Sequence, residues 1–371
     1  GFDQGSSLFS AGGAISIRGT TTDANTTEWK AGLGVVAGST INSGSGTISI
    51  DTNYRSANAG HGPVEFNAWR TSASTTISSS NTTSSAVVIR AYNNGGAAGN
   101  FGVWGVGSST TFDVDGGLVF EVDRVHKSVA FVFDVAGPLV FRPYGTTLLN
   151  ETSSTSFELA SQLVFTSNPS SITVGSSTNT SPIIISENLQ TTSGNIELLT
   201  SGAISKTTTT TLTAASDLVA TSRSSSIDMG SGAVSASNVR ISPSTTYAGS
   251  APLTASNGVI SITGGSTVTL TGALQATGNI TLSGSGNFSN STTITSSGGN
   301  VGITTSGTAT VIPAGNIQST IGSITISSAG AYSGAGTLTA GTTVAVTAPG
   351  VTIGGAVLAS GNVTYTSAGT L

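Results

Sequence analysis

Ile280-Thr281-Leu282-Ser283 is one copy of a phrase that returns through the last third of this chain. Its counterparts are Ile260-Ser261-Ile262-Thr263, Val301-Gly302-Ile303-Thr304, Ile324-Thr325-Ile326-Ser327, Val344-Ala345-Val346-Thr347 and Val363-Thr364-Tyr365-Thr366. Successive first residues are offset by about 20, 21, 23, 20 and 19 positions. Small turns precede the phrases: Asn257-Gly258, Gly278-Asn279, Gly298-Gly299-Asn300, Gly322-Ser323 and Gly361-Asn362. Apolar and small polar residues alternate, which is the pattern of a strand with one buried face. A strand that returns at a nearly fixed period, with turns between, is one coil of a solenoid. The fold class expected is therefore all-β, a parallel β-helix.

The phrase also occurs upstream, as Ile15-Ser16-Ile17-Arg18, Ile48-Ser49-Ile50-Asp51, Val87-Val88-Ile89-Arg90 and Leu118-Val119-Phe120-Glu121. Spacing there is longer, with Gly-, Asn- and Thr-rich insertions at 20–30, 52–62 and 92–100 that read as loops at one corner. Leu139-Val140-Phe141-Arg142 and Leu163-Val164-Phe165 continue the series. Phe120, Phe141 and Phe165 are expected to stack inside the coil, with Phe131 and Phe133 on another face. Ile183-Ile184-Ile185 is expected on a second face of one large coil running from Leu163 to Ile196, and Ile227-Asp228-Met229 is read as the next phrase. The count is about 13–14 coils, of 19–24 residues when short and 31–39 when long. We expect one continuous β-helix over 1–371, loop-bearing and more apolar over 1–199 and built of regular short Ser/Thr/Gly-rich coils over 200–371.

The residue that closes each early phrase should face outward, because side chains alternate. These residues are Arg18, Asp51, Arg90, Glu121 and Arg142, and their signs alternate. Stacked about 4.8 Å apart, they would form a charge ladder that sets register more than stability.

Composition narrows the function classes. Charged residues make up 7% and aromatics 6%, with 50 glycines and a net charge of −5. The scattered Lys and Arg provide no track for nucleic-acid phosphates and no basic patch for a membrane surface. No apolar run approaches a membrane span, so neither nucleic acid nor membrane insertion is expected. Cysteine is absent, which removes disulfides and thiolate metal sites. The first residue is Gly1 and the chain ends in mid-phrase, so both ends read as cuts through a longer repetitive protein or as a processed chain.

The sequences Gly194-Asn195-Ile196-Glu197-Leu198, Gly278-Asn279-Ile280-Thr281-Leu282 and Gly361-Asn362-Val363-Thr364-Tyr365 resemble the repeats of filamentous-haemagglutinin-like bacterial exoproteins. The resemblance is carried best by about 190–371, while the first half resembles the longer repeats of giant adhesins of the same group. It implies a right-handed β-helix, an extracellular or cell-surface location of the Gram-negative secreted type, and an adhesive or scaffolding role. The Asn-Pro-Asn-Gly-type motif of that family's secretion domain does not occur in this chain.

Catalysis and metal binding have weaker support in the residues. Asp113, Asp115, Glu121, Asp123, Arg124, His126, Lys127 and Asp134 form the richest charged cluster. A glycoside hydrolase on this scaffold needs two carboxylates about 5–9.5 Å apart across a groove. Asp113-Val114-Asp115-Gly116-Gly117 has part of a calcium loop but lacks the later bidentate Glu. His61 and His126 have no zinc-ligand spacing. We expect no enzyme, no cofactor and no metal. The expected role is a structural or adhesive β-helix facing a host or neighbour cell surface, glycans or matrix, with Trp29, Trp69 and Trp104 as candidate contact residues. End-to-end β-stacking into a filament or sheath is the alternative, because an uncovered coil presents unpaired strand edges. A polysaccharide-degrading β-helix is the lesser one.

Overall fold

The computed structural model describes residues 5–21, 33–54, 64–68, 73–93, 102–105, 107–127, 130–150, 156–160, 163–207 and 209–369. Among them the chain is all β, and its strands pair in parallel as a β-solenoid. The contacts divide it into two compact units: Gly1–Gly194 with Leu198–Thr200, and Asn195–Glu197 with Ser201–Leu371.

In the first unit a coil contributes one strand to each of three sheets. The phrase sheet contains Ile15–Thr21, Ile48–Tyr54, Val87–Asn93, Leu118–Val122, Leu139–Arg142 and Ile172–Gly175 in that order. A second sheet precedes each phrase and runs Ser7–Phe9, Thr40–Asn42, Thr75–Ser79, Thr110–Val114, Phe131–Val135 and Leu163–Phe165. A third follows it and runs from Leu33–Val36 through Val64–Ala68, Val103–Gly105 and Arg124–Lys127 to Leu149–Asn150. Phrase strands extend farther than the sequence suggests. Thr20, Asn53 and Tyr92 pair in register beyond the closing residue, so the first residues of the expected loops are strand. The remainder of those loops, at 22–30, 55–62 and 94–100, lies outside the described residues.

The core of this unit is aromatic. Phe120 stacks on Phe141 at 5.1 Å between ring centroids and 10° between planes. The expected third member, Phe165, is not in that column. Leu163–Phe165 belongs to the sheet that precedes the phrase and pairs with Phe131–Val135. Phe165 therefore lies on Phe133 at 5.6 Å, and Phe133 on Phe112 at 5.6 Å. The phrase-face partner of Phe141 is Val174. The two columns meet edge to face, Phe112 on Phe120 at 5.3 Å and Phe133 on Phe141 at 5.8 Å. Each such pair contributes about 0.5–1.5 kcal/mol beyond its buried area.

In the second unit the phrase sheet runs from Asp217–Ser222 and Asn238–Ser242 through Ile260–Thr263 to Val363–Ser367. Ile227–Asp228 is not a phrase strand. It pairs with Ile204–Lys206 and Thr246–Gly249 on a second face. Leu218, Val239 and Ile260 are the true phrase positions, so the long coils expected between Ile196 and Ile260 are short ones of about 21 residues. Ile183–Ile185 lies off the phrase face, paired with Phe157–Leu159, and Ile172–Gly175 restores a short spacing before Ile196. Phrase strands number fifteen among the described residues, slightly more than the sequence count.

Candidate functional site

The five closing residues of the early phrases are register partners in succession: Arg18 with Asp51, Asp51 with Arg90, Arg90 with Glu121, and Glu121 with Arg142. Strand alternation turns them outward, and parallel in-register pairing stacks them. Arg90 Nε donates to Glu121 Oε2, and Arg142 Nη2 lies 2.6 Å from Glu121 Oε1. Glu121 is thus held between two guanidinium groups on neighbouring coils. A further pair, Arg240 Nε to Asp217 Oδ2 at 3.8 Å, occurs in the second unit and has no phrase position to announce it.

The carboxylates of the charged cluster are not gathered into one groove. Asp113, on the strand before the phrase, and Asp115, in the bend just after it, line a recess of about 290 Å3 with Asn42, Ser78 and Ser80. Glu121 belongs to the phrase sheet. Asp113 is opposite Asp134 in register, a like-charge pair. Partial burial, then the charges of Asp134 and Asp115, raise the Asp113 carboxyl above the usual carboxylate range. Asp123 is also raised, by burial, against the lowering effect of N–H donation from Gly145 and Tyr144. Among the described residues no group of three or more His, Cys, Asp or Glu side chains is arranged to hold a metal ion.

Trp29 and Trp69 lie outside the described residues. Trp104 is on the strand Val103–Gly105 that follows the phrase, opposite Glu65 and His126 in register. His61 lies outside the described residues.

Sequence reasoning treated the Asn of each Gly-Asn turn as a turn residue only. In the second unit these side chains join one coil to the next. Asn300 N–H donates to Asn279 Oδ1 at 2.8 Å, and Ser323 N–H to Asn300 Oδ1 at 2.8 Å. Val259 N–H donates to Asn238 Oδ1 at 2.9 Å, and Asp217 N–H to Asn195 Oδ1 at 3.0 Å. Other corners repeat the device: Thr310 N–H donates to Asn287 at 2.9 Å and Thr337 N–H to Asn316 at 3.0 Å. Each bond caps an amide that the turn leaves without a sheet partner. The recurring Asn before the phrase was the signal.

One buried ionisable residue has no periodic signal at all. Lys206 is 4% exposed at an inward position of Ile204–Lys206, and its Nζ donates to the Thr210 carbonyl at 2.7 Å. Burial lowers its pKa to about 8, partly offset by Asp228.

The outward row of the third face in the second unit reads Thr254, Gln275, Thr295, Gln318, Thr339, each the register partner of the next. The two amides are exposed and the three threonines half-buried between them. No family model matches this chain, and no curated protein or solved structure gives a significant match.

Proposed function

We propose that this chain is a non-enzymatic structural and adhesive segment of a large bacterial surface or secreted protein, working outside the cell. The observation that carries this reading is where the polar groups are used. In each unit strands pair with their equivalents one coil on, and the corner Asn side chains bond along the same direction. Such a repeat body resists extension and sets a distance, which suits a spacer that presents surfaces. Glu121 is paired with Arg90 and Arg142, and the recess lined by Asp113 and Asp115 does not include it, which argues against glycoside hydrolysis by that pair of sites. The resemblance of the Gly-Asn phrases to bacterial exoprotein repeats supports the extracellular location.

The test uses beads coated with the full chain, offered to epithelial cells and to an array of neutral and acidic glycans. Saturable retention above that of bare beads is expected. No retention on either would overturn the adhesive part. Release of new reducing ends from a polysaccharide panel would overturn the non-enzymatic part.

A further inference from the structure

We propose that the Thr254–Gln275–Thr295–Gln318–Thr339 row is a self-association surface, and that its occupant is the same row of a second copy of this chain. The proposal goes beyond the adhesive reading and does not depend on it.

Three observations carry it. The first is shape. Gln275 and Gln318 are exposed, while Thr254, Thr295 and Thr339 are only partly so. Parallel coils are about 4.8 Å apart, so amides project roughly every 10 Å with a notch at each threonine. A recess of about 220 Å3 lies at this row, lined by Thr254, Gln275, Thr295, Ser256, Thr277 and Ser297. A two-fold axis between Gln275 and Thr295 sets Gln275 against the partner's Thr295 and Gln318 against the partner's Thr254. Each contact then occurs twice, as an isologous interface requires.

The second is hydrogen bonding. Among the described residues none of the five side chains takes part in a hydrogen bond. Serines at the adjoining corner do bond to the neighbouring coil: Ser256 Oγ donates to the Ala236 carbonyl and Ser297 Oγ to the Ala276 carbonyl. The row therefore retains both donors and both acceptors, with amide and hydroxyl facing one another across the two-fold axis.

The third is charge. Arg240 is the last ionisable Asp, Glu, Lys, Arg or His in the chain; Ile241 to Leu371 contains none. Two copies of this face approach with no like-charge repulsion, the condition under which association is favoured. A charged partner finds nothing there to select it. The row also lacks the lysines and inward charges that keep other sheet surfaces apart.

The experiment is sedimentation velocity of the full chain over a range of concentrations, at low and at molar salt, together with cysteine cross-linking. The wild-type chain is expected to dimerise with concentration, equally at both salt levels. Gln275→Lys with Gln318→Lys is expected to weaken dimerisation about tenfold or more, because each lysine then lies one coil from a lysine of the other copy. The chain has no cysteine, so one introduced thiol reports a single place. Thr295→Cys chains mixed with Gln275→Cys chains, one thiol per chain, are expected to cross-link into a mixed dimer under mild oxidation. Thr325→Cys, exposed on the phrase face, is expected to dimerise without cross-linking. A wild-type chain that is monomeric throughout would overturn the proposal. So would a dimer unchanged by the two lysines, or cross-linking equal at residue 325, as end-on stacking or general stickiness would give. A monomer retained on a neutral polysaccharide would assign the row to glycan instead.

Discussion

The phenol of Tyr247 lies across Gly249, occupying the space that a side chain at that glycine would fill. Both residues face the interior of the same strand, two positions apart. Tyr332 and Gly334 repeat the arrangement. In the coil after Tyr247 the same two columns carry Val268 and Leu270. A large residue beside none, or two of middle size, fills the same width of core.

Gly249→Ala is therefore expected to destabilise the chain by about 1–3 kcal/mol, since the added methyl meets the Tyr247 ring and its hydroxyl. Tyr247→Val with Gly249→Leu should recover most of that loss, a coupling that thermal unfolding of the single and double variants measures. Tyr247→Phe should cost little, because the hydroxyl is buried without a hydrogen-bond partner. Burial also pushes the Tyr247 phenol pKa up, so the phenol stays neutral across ordinary pH.

Lys206 should leave a pH signature. Its folded pKa is lowered to about 8 from 10.5, so between these values the unfolded chain holds a proton that the folded chain has lost. Stability then rises with pH across that window, and below about 8 the burial penalty is constant. Lys206→Met is expected to abolish the rise, which is on the order of 1–3 kcal/mol. Denaturant unfolding at pH 7 and pH 10 of both chains checks this. Equal slopes would mean that the Lys206 pKa is the same in the folded and unfolded chain, as for an exposed ammonium group.

Glu121→Gln leaves Arg90 and Arg142 facing one neutral amide. The expected loss is about 1 kcal/mol at low salt, since the guanidinium groups are partly exposed. Molar salt should shrink the difference from wild type. A loss independent of salt would indicate packing rather than charge.

Asp113→Asn removes one of two carboxylates that face each other in register. The raised Asp113 pKa means that stability falls as pH rises through the carboxylate range and stays lowered above it. The variant should be more stable than wild type at pH 7, by about 0.5 kcal/mol for so exposed a pair, and equal to it near pH 3. Melting curves at the two pH values decide the sign.

The alternation in Ile280-Thr281-Leu282 and its counterparts was enough to assign strands and to say which residues face inward, because a pleated strand has a strict period of two. The return of that phrase about every twenty residues was enough to assign parallel stacking. Register followed too: Arg18, Asp51, Arg90, Glu121 and Arg142 could be aligned by position alone, and the strands pair them as aligned.

Which face a strand occupies was decided only by the tertiary structure. Leu163-Val164-Phe165 reads like Leu139-Val140-Phe141, and Ile227-Asp228-Met229 like a phrase, yet both belong to other sheets. A short apolar-x-apolar strand satisfies any face of the coil, and the choice rests with the neighbour that completes its backbone hydrogen bonds. The same limit hid the Thr–Gln row, whose members are single outward residues about twenty positions apart. Their alternation exists only once the coils are stacked. Lys206 was hidden for a different reason: the cost of burying an ammonium group depends on what surrounds it, and no local pattern records that.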